Sequence, residues 1–63
     1  MPTALAHNLK RHRESRGWSQ RHLGDLCGCT GVAVHMWENG HRTPRPRYLA
    51  RLNAVLQVNL DLN

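Results

Sequence analysis

Trp18 to Gly40, WSQRHLGDLCGCTGVAVHMWENG, holds two short amphipathic segments on either side of a break centred on Gly28. They lie too close together to form separate domains. Gln20 to Cys27 places Leu23, Leu26 and Cys27 on one helical face. Gly31 to Glu38 places Val34 and Trp37 on an inner face and Val32, Ala33, His35 and Met36 on an outer one. Ser19 and Thr30 stand in the N-cap slots, each with an oxygen for an orphan backbone N–H. Trp18, just ahead of its cap, can staple down onto Leu23. Gly28 supplies the left-handed residue that ends the first helix, and Asn39-Gly40 ends the second. Gly24 within a helix costs up to about 1 kcal/mol relative to Ala, which close approach of a neighbouring helix would offset. Two short helices around a Gly-containing turn make the helix-turn-helix pattern, whose second helix can enter the major groove of DNA.

The flanks extend this into a helical bundle. Thr3 can cap a first helix running to about Ser15, with Gly17 as its stop. Leu5 and Leu9 form its thin apolar stripe, widened by Ala6 and His12, while Lys10, Arg11, Arg13 and Arg16 occupy the other faces. Those charges read equally as a solvated surface or as phosphate contacts. His41 to Arg47, HRTPRPR, reads as an ordered basic loop, and Pro46 suits the first turn of a fourth helix. Leu49, Leu52 and Leu56 follow at i, i+3, i+7 with Tyr48 and Val55 beside them, and Asn59 can cap one last turn, 60–63. With no repeat, low-complexity tract or linker, residues 1–63 read as a single domain.

Sixty-three residues lie near the lower limit for folding without a staple and leave little room for a sheet or a cleft. Nine Lys/Arg against four Asp/Glu give a formal net charge of +5, so a polyanionic partner is expected, although charge alone does not separate DNA, RNA and anionic lipid. No apolar run approaches the roughly 20 residues of a membrane span, and the opening MPTALAHNLK lacks the order of a secretory signal. A cytosolic protein is expected, with Cys27 and Cys29 as free thiols.

The combined spacing resembles the lambdoid phage repressor and Cro family of helix-turn-helix proteins, the XRE class. The likeness runs from about Leu5 to Leu62: Arg13, Gly17-Trp18, Ser19-Gln20, Leu23-Gly24, Gly28-Cys29-Thr30, Val34, Trp37-Glu38-Asn39-Gly40, then a proline and Leu49, Leu52, Leu56 and Val58. The resemblance implies an all-α, compact four- to five-helix bundle that binds operators as a two-fold dimer. It implies that Gln20 contacts a phosphate or an outer base and that Thr30 bonds backbone phosphate. Gly31, Val32, His35 and Met36 would form the outward face of the recognition helix. Asn39 and Arg42 would touch phosphates, and Arg45 or Arg47 would lie near the central minor groove. It also implies a largely buried ion pair between Arg13 and Glu38, against the plainer reading of two exposed charges worth at most about 1 kcal/mol.

The residue chemistry bears on these roles independently. Gln can read adenine bidentately, Val can pack on a thymine methyl, and His35 can donate to a guanine acceptor or a phosphate. Met36 offers only apolar contact. Gly31 reads no base, so it either leaves room for DNA or removes a contact the family often makes. A recognition helix this poor in long polar side chains implies fewer base hydrogen bonds and more methyl, phosphate and shape readout. The arginines of HRTPRPR suit a narrow minor groove. Four positions depart from the family pattern: His12, Cys27, Asn53 and Gln57, the last standing where φ > 0 can be required. They point to a thinner core and modest stability.

Cys27 and Cys29 with His22 or His35 raise a zinc hypothesis, but C-x-C across a turn is not the usual C-x₂₋₄-C spacing, and small buried hydrophobes are the favoured reading. No metal or cofactor is expected. An enzyme is not expected either, given four carboxylates and no nucleophile-base-orienter pattern. Two rivals share the fold or the charge. One is an antitoxin-like or other protein-interaction module, which needs an exposed apolar patch that only Tyr48, Val58, Leu60 and Leu62 could supply; those residues better serve self-association. The other is a basic RNA binder, disfavoured because Trp18 and Trp37 sit at core positions and leave few aromatics for stacking. The expectation is a transcriptional regulator of phage or prophage origin, Cro-like for want of an effector domain, acting in the bacterial cytoplasm at the nucleoid. Its partner would be double-stranded operator DNA, bound as a homodimer at least on DNA, with helix 3 (about 31–38) in the major groove and half-sites about 34 Å apart. No membrane and no small-molecule substrate are expected.

Overall fold

The computed structural model describes residues 3–60 of the chain. Four helices follow in order, α1 (Ala4–Ser15), α2 (Gln20–Cys27), α3 (Gly31–Glu38) and α4 (Pro46–Leu56), with no strand among the described residues. Each of the first three starts on a side-chain cap. Thr3 Oγ1 accepts from Ala6 N at 3.2 Å, Ser19 Oγ from His22 N at 2.9 Å, and Thr30 Oγ1 from Ala33 N at 3.1 Å. These caps satisfy N–H groups that the helix itself leaves without partners. α4 instead begins with Pro46 in its first turn, where a missing N–H costs nothing. Gly28 adopts φ 73° at the end of α2, and the turn closes as Cys29 N donates to Gly24 O at 2.8 Å.

One core joins all four helices and the segment after α4. It consists of Leu5 and Leu9 from α1, Leu23 and Cys27 from α2, Val34 and Trp37 from α3, Leu52 and Leu56 from α4, and Leu60. Trp18 packs partly buried against this cluster, which contains Leu23, and meets the His22 ring edge-on at 5.4 Å. Four small helices suffice because each contributes two side chains that are fully or nearly removed from water.

Three sequence expectations need correction. Leu26, placed with Leu23 and Cys27, is 46% exposed. At about 100° per residue the buried arc of α2 runs through Leu23, Cys27 and Gly24, and Leu26 lies on the far side of Leu23. Ala33 packs half-buried against the core instead of facing outward. Leu60 is only 6% exposed, and Tyr48 and Val58 are half-buried against the cluster, so the C-terminal apolar patch is largely consumed by the fold. Leu62 and most of the expected last turn lie outside the described residues.

The end of α4 is held by polar contacts. Gln57 takes φ 56°, ψ 45°, the left-handed conformation expected at that position. Val58 N donates to Asn53 O at 3.1 Å and Leu60 N donates to Asn53 Oδ1 at 2.7 Å. Asn53 thus does a bonding job where an apolar residue would only pack. The Arg16 guanidinium ties the ends of two helices together, donating to His12 O at 2.8 Å and to Leu56 O.

Candidate nucleic-acid interface

α3 is held on its inner side by Val34, Trp37 and Glu38 and turns Val32 and His35 to solvent. Its seat against α2 depends on two glycines. A Cβ on Gly24 would lie 2.6 Å from the Thr30 carbonyl carbon, and one on Gly31 would lie 2.9 Å from Arg21 Cα. Gly31 therefore has a packing reason within the fold, separate from either of its suggested relations to DNA. The close crossing brings Gln20, Thr30, Gly31, Val32 and His35 around one shallow groove, joined by Arg21, Asp25 and Cys29. Val32 is 66% exposed there, the largest apolar exposure on α3.

Behind this face lies an ion pair. Arg13 Nε donates to Glu38 Oε2 at 2.6 Å and Nη2 to Oε1 at 3.0 Å, while Nη1 donates to Trp18 O at 2.7 Å. The residues are 9% and 5% exposed. The bidentate fork satisfies both carboxylate oxygens, and the carbonyl takes a third guanidinium hydrogen. The hydrogen bond to Glu38 raises the Arg13 pKa above its ordinary value, against the opposing effect of burial.

The pair reaches the surface through Gln20. Gln20 Nε2 donates to Glu38 Oε1 at 3.1 Å and lies 3.4 Å from His35 Nδ1. Asn39 Nδ2 donates to the His35 carbonyl at 2.7 Å and lies 3.3 Å from the same ring nitrogen. The structure thus gathers Gln20, His35 and Asn39 into one hydrogen-bonded set. Met36 is half-buried on α3, and its carbonyl accepts from His41 N at 3.0 Å, starting the loop that carries the exposed Arg42.

Arg45 and Arg47 do not line the groove. Arg45 precedes α4, whereas Arg47 belongs to its first turn and not to the loop, stacking over the Tyr48 ring at 4.9 Å. Arg51 approaches the same ring at 5.6 Å and donates to Cys27 O at 3.3 Å. Arg21 and Arg51 lie outside the residues that the sequence assigns to DNA contact, and Cys29, expected as a free thiol, lines the groove. Arg21 carried a usable signal, a basic residue in the first turn of α2; the other two depend on contacts between helices.

Burial pushes the Cys27 thiol up to about 11 and also raises Cys29. Both side chains therefore remain neutral thiols at neutral pH.

A helix-turn-helix domain family matches residues 4–62. The chain is 32% identical over 57 residues to YqaE, an uncharacterised HTH-type transcriptional regulator of Bacillus subtilis (strain 168), covering 90% of this chain and 49% of that protein. It is 34% identical over 53 residues to YonR, an SPbeta prophage-derived uncharacterised HTH-type transcriptional regulator of the same strain, covering 84% and 49%. The chain thus spans about half the length of the curated relatives it matches. Its fold is similar to the P22 c2 repressor protein in the crystal structure of its complex with synthetic operator 9T, with a TM-score of 0.85 and 25% identity over 89% of this chain and 85% of that one. The Ser19- and Thr30-capped helix pair, the Gly24–Gly31 crossing and these matches lead to one conclusion: the chain belongs to the helix-turn-helix domain family and has a lambdoid repressor-like fold.

Proposed function

We propose that the chain is the DNA-binding unit of a sequence-specific transcriptional regulator, a Cro-like repressor of phage or prophage origin. It binds a pseudo-palindromic operator as a homodimer, formed at least on DNA, with α3 of each copy in the major groove. The observation that carries this reading is the exposed side of α3, where Val32 and His35 project beside the Thr30 cap. The similarity to a repressor in complex with operator DNA and to a prophage-derived regulator supports it.

In this reading Val32 packs on a thymine methyl and His35 donates to a base-edge acceptor, with Met36 adding apolar contact. Thr30 Oγ1 already accepts from Ala33 N, and its hydrogen is left to donate to a phosphate oxygen. Gly31 lets the α3 N-terminus approach the backbone. Gln20 lies at the outer edge of the site, Asn39 and Arg42 contact phosphates, and Arg45 and Arg47 follow the backbone toward the minor groove. The basic balance of the chain supplies the sequence-independent part of the affinity.

The activity is binding, without catalysis, metal, cofactor or small-molecule substrate. The raised thiol pKa values of Cys27 and Cys29 speak only against either cysteine as an activated nucleophile. No helix of the described residues is long and apolar enough to cross a membrane. The proposed location is the bacterial cytoplasm, at the nucleoid.

Selection from a random duplex library, followed by titration of the winner and a scrambled control across salt, tests the proposal. A pseudo-palindromic winner bound at least roughly 10³-fold more tightly than the control is expected. Equal affinities with steep salt dependence would mean non-specific binding. Absence of binding would favour a protein-interaction module, for which exposed Leu26 beside Ala54 and Val55 offers a surface.

A further inference from the structure

The family resemblance leaves Gln20 two possible contacts, a phosphate or an outer base. The amide orientation in the structure distinguishes them. We infer that Glu38 acts through Gln20 as a positioning residue, so that Gln20 offers its carbonyl oxygen to a base amino group and not its NH₂ to a phosphate. The inference rests on the DNA-binding reading above.

An amide is nearly symmetric in shape, so its neighbours decide which end points where. Glu38 Oε1 is an acceptor only, already bound to Arg13 Nη2 at 3.0 Å and 95% shielded from water as part of its residue. The Gln20 atom 3.1 Å from it must therefore be Nε2, since the inverted amide would set two acceptors against each other. The second Nε2 hydrogen also has an acceptor, His35 Nδ1 at 3.4 Å, provided that the neutral imidazole carries its proton on Nε2. Asn39 Nδ2, also 3.3 Å from Nδ1, already donates to the His35 carbonyl at 2.7 Å, which leaves the single Nδ1 lone pair to Gln20. Both hydrogens of Gln20 are thus engaged within the protein, leaving Oε1 for an outside partner.

Phosphate oxygens are acceptors and cannot satisfy that atom. In the major groove the only donors are adenine N6 and cytosine N4. His35, with its proton on Nε2, presents the opposite polarity to a neighbouring acceptor. Adenine alone carries both, N6–H₂ and N7, on one base edge. The buried ion pair consequently affects sequence preference as well as folding.

The test uses the whole chain and the winner from a random duplex library, with wild type compared with Gln20→Met. At the position where Gln20→Met relaxes selection, adenine is replaced by 2-aminopurine or cytosine by 2-pyrimidinone, removing the major-groove amine. Wild type is expected to lose affinity on the order of tenfold and Gln20→Met to lose none. Equal losses by both proteins, or uniform weakening of all sequences by Gln20→Met, would overturn the inference while leaving sequence-specific binding intact. Failure of wild type to enrich any motif would overturn the underlying reading, and this inference with it.

Glu38 has its own readout in the free protein. Through-hydrogen-bond coupling between Gln20 Nε2 and the Glu38 carboxyl carbon is expected by NMR, together with ¹⁵N shifts showing His35 protonated on Nε2. Absence of that coupling would overturn the positioning role even if Glu38→Gln fails to fold.

Discussion

Gly24 of α2 lies against Thr30 so closely that an added Cβ would meet the Thr30 carbonyl carbon at 2.6 Å and its oxygen at 2.7 Å. Both contacts are backbone, so no side-chain rotation relieves them. Gly24→Ala would gain about 1 kcal/mol of helix propensity and lose more through separation of α2 from α3. A net loss of about 2 kcal/mol is expected in urea melts. Gly31→Ala, at 2.9 Å from Arg21 Cα, should also destabilise. Unchanged or improved stability in Gly24→Ala would mean that the helices can part without cost.

The Arg13–Glu38 pair predicts an asymmetric mutational response. Removing one partner strands the other charge inside the domain, so Glu38→Ala should unfold the chain or cost about 3–5 kcal/mol. Arg13→Ala should behave likewise, and the double variant should lose less than the sum of the single losses. A loss near zero for Glu38→Ala would remove the pair from any account of stability.

Cys27 predicts an alkaline limb in the stability curve. Its folded pKa is raised from 9.0 to about 11 by burial, so folding favours the protonated thiol. The sign follows from linkage: this contribution is fully present below pH 9.0 and is lost as pH rises through about 11. The amount is on the order of 2 kcal/mol. Cys27→Ala should lose some packing at pH 7 yet show a flatter decline between pH 9 and about 11. The thiol of Cys29, only half-buried, should alkylate faster than that of Cys27.

At the end of α4, Gln57 occupies a left-handed conformation that glycine adopts without Cβ strain. Gln57→Gly is expected to stabilise the domain by about 0.5–1 kcal/mol, raising Tm. Asn53→Ala removes the acceptor for Leu60 N and should cost about 1 kcal/mol, whereas Asn53→Asp retains an acceptor and should cost less.

For DNA binding, residues on the exposed side of α3 and the surrounding basic residues should separate by assay. Val32→Ala and His35→Ala should reduce operator affinity more than random-duplex affinity, with a loss of about 1–3 kcal/mol for His35 if it bonds a base. Arg42→Ala and Lys10→Ala should weaken all sequences similarly and lower the salt slope by about 1 each. Equal losses on operator and random DNA for Val32→Ala would remove it from base readout.

The local elements are legible from the order of residues along the chain. Ser19, Thr30 and Pro46 mark helix starts and Gly28 a helix end through interactions within a few residues, which are legible without the fold. The leucine periodicity of α4 likewise located the fully buried Leu52 and Leu56. Other features depend on neighbours distant in sequence and follow only from packing. Leu26 is exposed because the buried arc of α2 runs through Leu23, Gly24 and Cys27, a direction that eight residues of periodicity leave undetermined. Gly31 is small because Arg21 backbone lies beneath it, Asn53 bonds a residue seven positions on, and the Gln20 amide is oriented by a carboxylate eighteen positions away. Caps and periodicity act along the chain, whereas side-chain direction and hydrogen-bond polarity are set by the surfaces that folding brings together.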